Sequence, residues 1–381
     1  MSEVANIPQL RFSEFSGEWE EKKLGELCKF TQGVQIPFSE QLTKYKEGAI
    51  RYLYIRDFFT DDFPYYVKDQ YPNKVIHTDE IMMVNTGNTA GKAFMGATGV
   101  LSNNAFKVSF DKTKVSNIFL FQRITSDTIQ RRIKSFFNAG GQPHLGHKNI
   151  AIIPMGFASL KEQQKIAAFL TTVDSKIEQL SKKQELLKEY KKGLMQQIFS
   201  QATRFKADDG CDFPDWEEKK LGDVSVRGTS NISANQLEDN NGDYKIYGAA
   251  GHLKNIDFYT EEDCYVAIVK DGAGVGRIML LESKTSVLGT LAIIKAKQGN
   301  DINFLYWLIQ TINFRKYVVG STIPHIYYRD YQAENLRIPS LSEQTKIANF
   351  LSSIDNKIEQ VGKQLDESKQ FKKALLQQMF V

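Results

Sequence analysis

The chain has 381 residues, 41% of them hydrophobic and 12% aromatic, which supplies two or three cores and excludes disorder as its main state. A formal net charge of +4 and a pI near 8.6 permit a nucleic-acid partner without arguing for one. Three cysteines, Cys28, Cys211 and Cys264, lie far apart with no CxxC pair, which argues against a disulfide framework or a zinc site and fits a reducing compartment.

In chain order, the opening MSEVANIPQLRF shows no charged segment followed by an apolar core, and no apolar run reaches the roughly 18 residues of a membrane span. A cytoplasmic protein with no membrane partner is expected. A segment of mixed α/β character follows, about residues 10–158, in which Gly17 to Glu26 reads GEWEEKKLGE and Ile81 to Val84 is a β-like run. The next stretch, Gly87 to Ala93, reads GNTAGKA and looks like a phosphate-binding loop. It has three residues between the glycines, where that motif needs four, and Ala93 stands where a Ser or Thr would hold Mg²⁺. Tight turns with glycine at positive φ account for it better. His144 and His147 have the spacing of a metal pair, but no Cys or carboxylate cluster joins them. No metal site is expected there; a hydrogen-bonding or nucleic-acid-facing role fits better.

Leu160 to Phe199 then reads as one helix. Ile166, Leu170, Val173, Ile177, Leu180 and Leu187 fall at the 4-3 spacing of a coiled-coil seam, and Ser159-x-x-Glu162 is a capping box at the start. At 1.5 Å per residue such a helix is about 60 Å long. Ser200–Asp212 looks like a junction. After it the chain is written again: Pro214 to Asp223 reads PDWEEKKLGD, Tyr265 to Val269 is a β-like run, and Gly272 to Arg277 is a second glycine-rich turn. Pro324-His325 answers Pro143-His144. Leu341 to Phe380 matches Leu160 to Phe199 without a gap, with 21 identities in 40 positions. Its seam is Ile347, Leu351, Ile354, Ile358, Val361 and Leu365, and Ser340-x-x-Glu343 repeats the capping box. Polar residues Gln184, Lys191, Ser368 and Lys372 interrupt the seams and would fix register.

The duplication gives the organisation. Residues 1–158 form one globular domain, 159–199 a long helix, 200–339 a second domain of the same fold, and 340–381 a second helix. The fold class expected is α/β (α+β): two similar domains separated by two long helices of a coiled coil, a pseudo-twofold cyclic duplication. Two unrelated surface helices are the alternative, which the matching seams disfavour. A cyclic arrangement places Gln377–Val381 beside Gln9–Phe12, as Gln196–Phe199 lies beside Thr203–Phe205.

No hydrolase, zincin, Rossmann or amino-methyltransferase signature is present, so no catalysis is expected of this chain. Basic residues cluster around the duplicated motifs: Arg51, Arg56, Lys92, His144, His147 and Lys148 in the first domain, and Lys245, Lys254, Lys270, Arg277, His325 and Arg329 in the second, among Tyr247, Tyr327 and Tyr328. Cations mixed with aromatics on loops suit backbone anchoring with base-edge readout of DNA.

The two WEEKKLG blocks, the Ile153-Pro154 and Ile338-Pro339 pairs with the helix starts EQQKIAAFL and EQTKIANFL, and the run YKIYGAAG from Tyr244 together resemble the specificity subunits of type I restriction–modification systems. The resemblance covers nearly the whole chain. It implies two target-recognition domains that each read half of a bipartite double-stranded DNA site, and helices that pair as an antiparallel coiled coil, space the domains and dock two methyltransferase (modification) subunits. Restriction/translocase subunits complete the complex. S-adenosylmethionine, ATP and Mg²⁺ would belong to those partners, with no cofactor in this chain. The first domain departs from the second, with YLYIRD from Tyr52 where the second has YGAAG, so the halves are expected to read different sequences. The competing reading, a coiled-coil scaffold without DNA affinity, predicts salt-insensitive behaviour and no DNA binding.

Overall fold

A computed structural model describes residues 6–137 and 141–381. The two long helices predicted from the apolar spacing are present, Leu160–Phe199 and Leu341–Gln378. The chain divides into two compact units, and the helices are shared between them. Unit one takes residues up to Ser181 together with Lys363–Val381, and unit two takes Lys182–Gly362. The sequence-based division set each helix apart as its own segment; contacts instead give each unit one half of each helix.

The units repeat one plan. In unit one, strands Glu20–Lys23 and Pro154–Phe157 form an antiparallel ribbon. A four-stranded sheet runs Cys28–Gln32, Ala105–Phe110, Ile81–Val84, Ala93–Phe94, and a smaller one runs Tyr65–Lys68, Ala49–Leu53, Gly99–Leu101, Val75–Ile76. In unit two the ribbon is Glu217–Lys220 with Asn335–Ile338. The larger sheet runs Ser225–Thr229, Leu291–Ala296, Tyr265–Val269, Ile278–Leu281, and the smaller keeps three strands, Gly251–Ile256, Tyr244–Gly248, Ser286–Val287. The β-like runs Ile81–Val84 and Tyr265–Val269 are interior strands buried along their whole length, which is why they read as continuous apolar runs.

Each unit hangs its helix on one buried acid. Glu162 accepts from Arg11 Nε at 2.7 Å and Nη2 at 2.8 Å, and from Trp19 Nε1 at 3.2 Å. Glu343 accepts from Arg204 Nη2 at 2.8 Å and Trp216 Nε1 at 3.1 Å. Gln163 and Gln344, one residue on, accept the backbone amides of Ser116 and Asp301, each at 2.9 Å. This corrects the capping-box expectation. The serine half is kept weakly at Ser159, whose Oγ accepts from Glu162 N at 3.4 Å, while the buried Ser340 Oγ has no partner. The glutamates face their tryptophans and arginines instead of the cap amides. A bidentate guanidinium bond is stronger than a bond to a neutral amide, and decides the matter.

The predicted seam residues are buried or half-buried throughout. Ile166, Leu170 and Leu180 are buried and Val173, Ile177 and Leu187 half-buried; Ile347, Leu351, Ile354, Val361 and Leu365 are buried and Ile358 half-buried. The antiparallel sense shows within each unit. In unit one Ile166 and Leu170 share a core with Leu375 and Met379, and Lys372 meets Asp174 at 2.6 Å. In unit two Lys191 meets Asp355 at 2.6 Å, and a Cβ on Gly362 would stand 2.6 Å from Gln184 Nε2. Three of the polar seam positions, Gln184, Lys191 and Lys372, thus meet the facing helix, while Ser368 Oγ donates to Gln364 O of its own helix at 2.7 Å. The ends of the chain also close within unit one, where Leu10 N donates to Gln378 O at 2.9 Å. Thr203 N donates to Gln197 O at 3.2 Å in unit two.

Candidate nucleic-acid interface

The glycine-rich turns close antiparallel hairpins, Ile81–Val84 with Ala93–Phe94 and Tyr265–Val269 with Ile278–Leu281. A phosphate-binding loop would lead from a strand into a helix. Gly91 and Gly276 occupy positive φ of +84° each, and a Cβ on Gly91 would stand 2.5 Å from Ile133 Cγ2. Each turn is tied to the segment carrying the paired Pro-His: Gly87 N donates to Pro143 O at 3.0 Å, and Gly272 N to Pro324 O at 2.9 Å.

In unit two this tie places the end of the central strand beside the short helix Tyr328–Tyr331. Ile326 N donates to Lys270 O at 2.9 Å, and Asp271 bridges to His325. The result is a cavity of about 280 Å³ lined by Arg227, Lys270, Asp271, Ala292, Ile326, Tyr327, Tyr328 and Arg329. Arg329 lies over the Tyr327 ring at 4.8 Å, and the His325 ring meets the same tyrosine edge-on at 4.9 Å between centroids. Tyr328 Oη and Ser225 Oγ are 3.1 Å apart, which fixes one wall. Among the described residues the side chains of Arg227, Lys270 and Asp271 make no hydrogen bond or ion pair.

The equivalent positions of unit one carry different chemistry. Leu145 N donates to Asn85 O at 2.7 Å, so Asn85 stands where Lys270 does, and Thr86 where Asp271 does. Thr86 Oγ1 lies 3.1 Å from His144 Nδ1. Phe30 replaces Arg227, His147 replaces Tyr328, and Lys148 replaces Arg329. His147 packs against Phe30 and Phe106, with Nε2 buried and unpartnered. Burial, and secondarily His144, lowers its pKa and favours the neutral ring.

The remaining predicted cations lie apart from these centres. Arg51 is engaged by Asp57 at 3.3 Å and Asp61 at 2.6 Å, and Lys245 by Glu282, so these two are already neutralised within the protein. Arg56 is exposed and lies over Tyr54 and Tyr65 at 5.3 and 5.2 Å. Lys254 donates to Leu237 O at 2.7 Å. Arg277 reaches from the glycine turn to Ala249 O at 2.6 Å, and Lys92, on the matching turn, is exposed. Sequence reasoning missed Arg227, Asp271, Asn85 and Phe30. Aligning the two copies would have found them, because each holds a fixed offset from the WEEKKLG block or the glycine turn.

Among the described residues no three His, Cys, Asp or Glu side chains gather as a metal group, and no helix is long and apolar enough to cross a membrane. Cys28 is buried and its thiol is pushed up to about 12 by desolvation; Cys211 and Cys264 are exposed.

The family profile described as Type I restriction modification DNA specificity domain matches residues 16–189 and 214–368, once in each copy. The chain is similar to the type I restriction enzyme MjaVIII specificity subunit of Methanocaldococcus jannaschii, at 26% identity over 94% of this chain and 91% of that one. Its fold is similar to the crystal structure of a type I restriction–modification S subunit from M. genitalium, with a TM-score of 0.69 and 15% identity over 98% of this chain and 99% of the other. A second neighbour, from work on assembly and conformational transition of a type I system, has a TM-score of 0.55 and 16% identity over 94% and 96% of the two chains.

Proposed function

The chain belongs to the type I restriction–modification DNA specificity family, and on that premise we propose how its two units share the reading of one DNA target. It is the DNA target-recognition subunit. Each unit reads one half of a bipartite site through the face that carries its glycine turn and the segment tied to it. The long helices set the separation of the half-sites and dock the modification subunits. The observation that carries this reading is the repetition of one frame with unlike side chains at matched positions: Arg227, Lys270, Asp271 and Tyr328 in one unit against Phe30, Asn85, Thr86 and His147 in the other. A duplicated frame that served only assembly would have no reason to diverge there.

One DNA-reading unit makes a few base contacts, each discriminating by about 1–3 kcal/mol. Two linked units multiply that discrimination by effective concentration. The partners then need no sequence preference, and methyl transfer, ATP-driven translocation and cleavage, with S-adenosylmethionine, ATP and Mg²⁺, are theirs. The docking surface is a cleft in each unit's share of the helices. In unit two it has a volume of about 630 Å³, with lysines 188, 191 and 192 around Met195, Phe199 and Ile358; in unit one the matched cleft holds lysines 369, 372 and 373 with Leu376. A gel-shift series with the modification subunit, over random and genomic duplexes, tests the proposal. Selective, salt-sensitive retention of a subset of duplexes is expected. Equal retention of all duplexes, or none, would overturn it.

A further inference from the structure

We propose that the cavity of unit two reads a G·C base pair, with Arg227 directed at the guanine and Asp271 at the cytosine. The inference rests on the reading of unit two as a half-site reader and assigns the base that it recognises.

The cavity combines three cations, Arg227, Lys270 and Arg329, with one carboxylate, Asp271. Other exposed cations are paired, Lys245 with Glu282 and Lys316 with Glu334, and within the cavity Arg329 lies 3.6 Å from Asp330. Here Arg227 and Asp271 line one small space and neither bonds to any described residue. Two opposite charges kept unpaired in a shared concavity are presented to something else.

The chemistry of that something is narrow. A guanidinium alone would suit a phosphate or a guanine edge equally. A carboxylate beside it repels phosphate and has no donor to meet on the DNA backbone. On a base pair the two functions are complementary: a guanine offers O6 and N7 as paired acceptors to an arginine fork, and its cytosine partner offers the N4 amino group to a carboxylate. Both lie on the major-groove edge of one base pair. Lys270 and Arg329 then supply flanking phosphate contacts. Unit one has Phe30 and Thr86 at the two matched positions, so it lacks both the fork and the carboxylate, and its half-site carries no such requirement there.

The test uses the subunit assembled with its modification subunit and a library of duplexes randomised in both half-sites, read out by methylation. For the native complex an invariant G·C pair is expected in the half-site read by unit two. Arg227→Gln is expected to relax that single position, lowering discrimination against the other three pairs by about ten-fold or more, with the rest of both half-sites unchanged. Asp271→Asn, which keeps the shape and removes only the charge, is expected to admit other partners at the same pair, and stands in if the arginine variant misfolds. A half-site without an invariant G·C pair overturns the inference. So does a uniform loss of binding over all sequences with a shallower salt dependence, which would mark Arg227 as a phosphate contact. Exchange of residues 216–338 for those of a relative separates the two levels. If exchange alters one half-site while neither point variant relaxes a position, the inference falls and the half-site reading stands; if exchange alters no half-site, the reading itself falls.

Discussion

Glu343 is fully buried, and its carboxylate is held by the Arg204 guanidinium and the Trp216 indole N–H. Removing the acid leaves the Trp216 indole N–H without a partner and takes from Arg204 its buried counter-ion, although Nη2 keeps the Phe213 and Pro214 carbonyls at 3.2 and 2.6 Å. Loss of one partner of a buried ion pair costs about 3–5 kcal/mol, with the lower end favoured because Arg204 is partly exposed. Glu343→Leu is therefore expected to lower the stability of the chain by about 3 kcal/mol in urea unfolding; a change below about 1 kcal/mol would show that the clamp is dispensable. The residue was legible and its role was not. S-x-x-E marks a helix start in sequence, but only the fold brings an arginine 151 residues away to Glu162 and one 139 residues away to Glu343. His147 shows a similar limit. The i,i+3 histidines looked like a pair, yet one is on the surface bonded to Thr86 and the other lies against Phe30 and Phe106. Because burial lowers the His147 pKa, the unfolded chain binds more protons as pH falls through the ordinary histidine value near 6.5. Its contribution to stability is complete above that value and is lost as pH drops toward the folded pKa. His147→Phe is expected to flatten the decline in stability between pH 7 and 5, measured by denaturant unfolding at each pH; an acid limb as steep as the native one would contradict this.

At the scale of the element, the long helices were the most legible feature, because a 4-3 apolar repeat has few other physical meanings. The differences along the seam were not legible. Ile177 and Ile358 fit the repeat as well as Leu351 does, and the repeat alone gives all three the same place on the seam. They are half-buried, and Ile358 faces the cleft of unit two, while Leu351 is sealed in the core with Ile198 and Trp307. Leu351→Asp is expected to cost several kcal/mol by burying an unpaired charge and to unfold unit two. Ile358→Asp should leave near-UV circular dichroism unchanged and abolish co-elution with the modification subunit on size exclusion. Loss of folding in the second variant, or retained co-elution, would remove the cleft from the docking surface. The smaller sheets were less legible: their short strands carry weak periodicity, and unit one adds the strand Val75–Ile76 where unit two has only the isolated bridge Glu261–Thr285.

For the whole molecule, duplication implied a cycle, and the described chain ends agree with it. Leu10 bonds to Gln378 in unit one as Thr203 bonds to Gln197 in unit two. Neighbouring ends tolerate circular permutation. Joining Val381 to Met1 through a short linker and opening the chain within 200–212 is expected to preserve site-specific methylation in complex with the modification subunit; a folded permutant that methylates nothing would contradict the cyclic arrangement. What the sequence could not disclose at this scale is which loops face one another. Arg227 and Asp271 are 44 positions apart and come to line one cavity only through the order of the sheet.

The central claim is that each unit reads its own half of the target. Replacing residues of about 20–150 with those of a relative, assembling the chimera with the modification subunit and mapping every methylated site before and after the exchange tests it most directly. One half of the bipartite motif should change to the relative's, with the other half and the spacer length retained. A change in both halves together, or in neither, would contradict the account.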